Sequence, residues 1–119
     1  MLPKNARLTV SADFARATKS GTRVTSEHFV GYLYINPAPE ETNPPKFGLI
    51  VNKGVGGSVA RHALARKLRH AAAPQLSKLP NNSLFVIRAL AKGSSNDVIS
   101  EVEKLVNKLL ERSTRNAVK

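Results

Sequence analysis

"KFGLIVNKGVGGSVARHALARKLRHAAA", Lys46 to Ala73, governs how this chain folds. It opens on a nearly continuous apolar run, Phe47 to Val51, which marks a strand buried on both faces. Glycines at 54, 56 and 57 interrupt the chain, and a helix is predicted from Ser58 to about Ala73, stopped at Pro74 or trailing to Leu76. Downstream, "NSLFVIRALA" reads as another strand. Strand, helix and strand in that order form a βαβ unit with parallel strands.

Working outward, Ser11 is positioned to cap a short helix, "ADFARATKS", which stops at Gly21. "RVTSEHFVGYLYIN", rich in Val, Phe and Tyr, reads as one strand from Arg23 to Asn36. Four prolines make Pro37–Pro45 a loop. Asn96 or Ser95 is the expected cap of a last helix, in which Val98, Val102, Leu105 and Leu109 recur at helical spacing. The expected order is α-β-β-α-β-α. It implies an α+β fold, an α-β sandwich in which one sheet carries packed helices.

The 119 residues suffice for one domain with one core, spanning 1–119. The chain has no cysteine, which removes disulfides and Cys-based metal sites and fits a reducing compartment, with the cytoplasm expected. There is no run of 18 apolar residues, so no membrane partner is expected. Met1–Gly21 is basic and poor in acids like a transit peptide, but it reads better as part of the fold.

The net charge is +11, and its placement is the sharper fact. Thr42–Asn96 holds nine Lys/Arg and no Asp or Glu, whereas each flank carries five Lys/Arg against four acids. Such a field attracts polyanions, nucleic acid first. On a helical wheel, Ala60, Leu64, Leu68 and Ala71 gather on the face expected to meet the core. His62, Arg66 and Arg69 gather opposite, with Arg61 and Lys67 flanking the apolar stripe. The helix has no acid to pair with them, so intrahelical ion pairs do not account for the charge.

"KGVGGSVAR" fails both nucleotide fingerprints: no Gly-Lys-Ser/Thr follows, and Val59 stands where a third glycine belongs. It leaves a helix N-terminus whose free N–H groups, at Gly56 and Gly57 and beside Lys53 and Arg61, suit a phosphate. The central segment lacks the acids for a nucleophilic triad or a two-metal centre. His62 and His70 stand too far apart on one helix to share a metal. No catalytic residue is expected in the protein itself.

"NKGVGGSVARHALARKLRH" resembles the signature of the bacterial ribonuclease P protein family, in its actinobacterial form, at Lys53, Val55, Gly56, Val59, Arg61, Arg66 and Arg69. It departs from the family pattern at His62, Ala63 and Ala65, which thins the basic surface. "ADFARATKSG" resembles the family's first helix, with Thr18 where a second aromatic often stands, and "HFVGYLYIN" its following strand, with Tyr32 at an aromatic position. The likeness runs from about Arg7 to Leu110.

That resemblance implies the sandwich shared with a ribosomal protein domain, with a left-handed βαβ crossover. It implies a subunit of an endoribonuclease in which a catalytic RNA with bound Mg2+ removes the 5′ leader of precursor tRNA. Arg61, His62, Arg66, Lys67, Arg69, Gly56 and Gly57 are then the candidate contacts to the RNA subunit. Phe14, Thr18, Tyr32, Asn52 and Lys53 are the candidate contacts to the leader, with Phe14 and Tyr32 as stacking rings. One protein is expected per RNA subunit. The competing expectation is a non-catalytic RNA-binding ribosomal or ribosome-assembly protein. A DNA-reading helix is weaker, because a strand and glycines precede it where a second helix is needed.

Overall fold

The computed structural model describes residues 11–35, 44–51, 54, 56–90 and 97–117. Helix α1 spans Ser11–Ser20, strand β1 Thr22–Thr25, β2 Phe29–Ile35 and β3 Lys46–Ile50. Helix α2 spans Ser58–Ala72 and runs into a 3-10 segment, Ala73–Lys78, with Pro74 early in it. Strand β4 is Ser83–Ala89 and helix α3 is Val98–Ala117. The four strands form one sheet in the order β1-β2-β4-β3. β3 and β4 are parallel, as the βαβ reading requires, and the other neighbours are antiparallel.

One expectation is corrected. Arg23–Asn36 is not a single strand but a hairpin, in which Thr25 faces Val30 and the chain turns at Ser26–His28. The Ser26 N–H donates to the Phe29 carbonyl at 2.8 Å, and the Phe29 N–H donates back to Ser26 Oγ at 3.2 Å. The turn is tied to α3, where Glu101 accepts from the His28 N–H at 2.9 Å and from Ser26 Oγ. At the start of α3 the Asp97 Oδ1 accepts the Ser100 N–H at 3.0 Å, while Ser95 and Asn96, the expected caps, lie outside the described residues.

Two apolar layers enclose the sheet. Phe29, Leu33, Phe85 and Ile87 on one face pack with Leu68 and Ala71 of α2 and with Val102, Leu105 and Leu109 of α3. On the other face Val30, Tyr32 and Val86 pack with Ala17, and with Phe14 in part, from α1. Gly31 lets α3 approach closely, since a Cβ there would lie 3.1 Å from Leu109 Cδ1.

The crossover hand follows from backbone direction. The Leu90 N–H donates to the His28 carbonyl at 2.8 Å, so even-numbered residues of β4 turn their backbone groups toward β2 and odd-numbered ones toward β3. Phe85, Ile87 and Ala89, all odd, point their side chains to the α2 side. For L-residues, β3 then lies to the right of β4, viewed from the α2 side with β4 running upward. The chain passes leftward from β3 through α2 to β4. The crossover is left-handed, against the general preference.

Candidate nucleic-acid interface

Helix α2 is built from Ala, Leu, Arg and Lys, which favour helix, with no Gly or Pro inside it. Ala65, Leu68, Ala71 and Ala72 are buried against the sheet and α3, and Leu64 packs on the same cluster in part. Ala60, expected on the inner face, is exposed together with Ser58 and Val59, because the first turn stands clear of the core. His62, Arg66, Lys67 and Arg69 are exposed, while Arg61 is half-buried. Among the described residues the ion pairs are Asp13–Arg16 at 4.0 Å and His28–Glu101 at 2.9 Å. None of the cations of α2 is neutralised by a carboxylate there. Arg66, Lys67 and Arg69 therefore hold unneutralised positive charge on the exposed side of α2.

The start of α2 adds to that field. Gly57 caps the helix in extended geometry with no side-chain hydrogen bond, and the first turn holds no acid. Gly56 has φ of 150°, a conformation that L side chains rarely adopt. The first N–H groups of a helix lack internal partners and favour anions. Beside them Arg61 Nε is covered from solvent without a hydrogen-bond partner.

On the reverse face, α1 crosses the sheet. Phe14 is half-buried, partly anchoring α1 on the cluster of Val30, Tyr32 and Val86. Thr18 Oγ1 donates to the Phe14 carbonyl at 2.9 Å, so its hydroxyl serves the helix. Tyr32, expected to offer a stacking face, is 6% exposed and packed beneath α1. Tyr34, two residues on and on the same face, is half-buried and lines a hollow of about 150 Å³ with Asp13, Arg16, Lys46 and Leu84. Asn52 and Lys53 lie outside the described residues.

Sequence reasoning missed Tyr34 and Arg88. Arg88 is exposed on this same face, between Val30 of β2 and Ile50 of β3. The signal existed: Arg88 is the one charge in "SLFVIRA", and strand alternation puts it opposite the buried Ile87.

Ser26, His28 and Glu101 contain the residue types of a catalytic triad but not its wiring. Both Ser26 and His28 bond to Glu101, so no relay runs from serine to histidine. The set is a clasp between a turn and a helix. Among the described residues no three His, Asp or Glu side chains are grouped to hold a metal ion. None of the helices among them is long and apolar enough to cross a membrane.

A family model described as ribonuclease P matches residues 2–114. The chain is 41% identical over 118 residues to the ribonuclease P protein component of Mycobacteroides abscessus, covering 97% of this chain and 92% of that protein. It is 37% identical over 123 residues to the protein of the same name from Streptomyces bikiniensis, covering 97% and 100%. In fold it is similar to the ribonuclease P protein of Staphylococcus aureus, with a TM-score of 0.72, 23% identity and coverage of 86% and 93%. The corresponding Thermotoga maritima structure gives 0.58 at 22% identity, covering 92% and 96%.

Proposed function

This chain belongs to the ribonuclease P protein family, and from that premise we propose how its surfaces serve the enzyme. It is a protein subunit of ribonuclease P, an endoribonuclease of tRNA processing, and it associates with the RNA subunit. Beyond that, we propose that the RNA subunit lies on the outer face of α2. The observation that carries this is the row of exposed cations Arg66, Lys67 and Arg69, beside the exposed His62, with no carboxylate to neutralise it among the described residues. Free amides at Gly57 and Ser58, with the uncompleted Arg61 side chain, suit a phosphate at the end of that row.

The 5′ leader of precursor tRNA would occupy the opposite face, beside α1. There the exposed part of Phe14 and the ring of Tyr34 offer surfaces for unstacked bases, and Arg88 offers charge to the backbone. Lys53 and Asn52 remain candidates for that contact. In this reading hydrolysis takes place on the RNA subunit with Mg2+ held mainly by RNA, and the protein binds and orients. One protein would serve each RNA subunit, in the cytoplasm.

Reconstitution with the RNA subunit of the same species tests the reading. At low Mg2+, cleavage of precursor tRNA is expected only when both components are present, and the complex should prefer precursor over mature tRNA. Equal affinity for the two would remove the leader from the α1 face. Cleavage by the protein alone would overturn the assignment of chemistry to RNA.

A further inference from the structure

A second cationic track lies on the sheet edge farthest from β3. On α3, Lys104, Lys108 and Arg112 recur at intervals of four residues, so they share one side of the helix in steps of about 6 Å. All three are exposed, and none forms an ion pair among the described residues. This side is turned toward β1, since Arg112 Nη1 donates to the Arg23 carbonyl at 2.9 Å. Arg23 is itself exposed and unpaired there. Its register partner is Tyr32, which belongs to the α1-side cluster, so the Arg23 side chain emerges on the α1 face. Positive groups thus pass from the α1 face at Arg23, around the edge of the sheet, to Arg112, Lys108 and Lys104.

Beside the track, an open hollow of about 720 Å³ separates α3 from the β1–β2 turn, with Thr25, Ser26, Lys104 and Lys108 in its wall. Three acids also line it. Glu101 is engaged by Ser26 and His28, Asp97 caps α3, and Glu27 is exposed on the turn. The hollow has room for a base from an unstacked strand, while the lysines face its backbone. A duplex is too wide to follow a bend of this kind around a sheet edge. A flexible single strand can.

We propose that Arg23, Arg112, Lys108 and Lys104 bind the distal part of the precursor-tRNA leader, the stretch that extends past the α1 face. The proposal rests on the reading of that face as the leader's place, and it adds a second contact on a different edge of the molecule. It predicts that affinity depends on leader length. Single-strand phosphate contacts change the salt slope by about 0.7 each, so two lysines account for about 1.4.

The test uses the reconstituted holoenzyme and two precursors, with leaders of about 4 and about 16 nucleotides, the span over which single-strand grooves act. Wild type should bind the longer leader more tightly. Lys104→Ala/Lys108→Ala removes two side chains that have no bonded partner among the described residues, so the fold should persist. It should raise Kd for the long-leader precursor several-fold and leave the short one unchanged. Arg23→Ala should act in the same direction. Length-independent binding by wild type, an equal loss for both precursors, or weakened binding of the RNA subunit alone would each overturn the proposal. Phe14→Ala separates the two ideas: if it changes neither precursor, the α1-face reading fails whatever the lysines do.

Discussion

Glu101 of α3 and His28 of the β1–β2 turn, 73 residues apart in sequence, meet twice: at the His28 N–H and at Nδ1, each 2.9 Å from a carboxylate oxygen. Ser26 Oγ donates to the same carboxylate. Glu101→Ala would strip the acceptor from a backbone N–H and a hydroxyl in a half-buried place, where an unmet donor costs about 1–3 kcal/mol. The expected outcome is a loss of about 2 kcal/mol, read by chemical denaturation, with Glu101→Gln intermediate. An unchanged midpoint for Glu101→Ala would mean that the clasp contributes nothing to stability.

Gly31 sits beneath Leu105 and Leu109 of α3. A Cβ there would stand 3.1 Å from Leu109 Cδ1, so Gly31→Ala should overpack the joint at a cost of about 1–3 kcal/mol. Paired with Leu109→Ala, the substitution should cost less than the two separate losses added together. Full additivity in that double-mutant cycle would contradict the contact.

Arg66 is exposed at mid-helix on α2, away from the core. Arg66→Ala should change the stability by no more than about 0.5 kcal/mol, as surface substitutions usually do. It should weaken binding to the RNA subunit and lower the slope of log K against log salt by about one. An unaltered slope would mean that Arg66 touches no phosphate.

Phe14→Ala removes a ring that is half-buried against Val30 and Val86. Loss of stacking on a base should weaken precursor binding by about 1–3 kcal/mol while mature tRNA binding holds. Tyr34→Ala should act the same way, and Tyr32→Ala should instead unfold the chain, because that ring is core. Preserved stability in Tyr32→Ala would reverse the roles given to the two tyrosines.

The βαβ unit and the unpaired charge of α2 were legible because both are local patterns: an apolar run, glycines, and a helix without acids. The β1–β2 turn was not. Ser26, Glu27 and His28 carry no Gly, Pro or Asn to announce a reversal, and the turn is fastened by Glu101 from the far end of the chain. Tyr32 and Tyr34 lie on the same side of β2, and only the position of α1 decides which one is covered. Ala60 misled for a similar reason. Its place on the wheel suits a core, but the core ends before the first turn of α2 begins.

The strand order carries a consequence for synthesis on the ribosome. β4 lies between β2 and β3, and among the described residues β3 has no other neighbour in the sheet. Until residues from Ser83 onward have emerged, the N-terminal hairpin and β3 share no ladder, and the cationic helix between β3 and β4 has no platform to settle on. A nascent chain stalled at that length would trail a positively charged, unanchored segment within reach of ribosomal RNA.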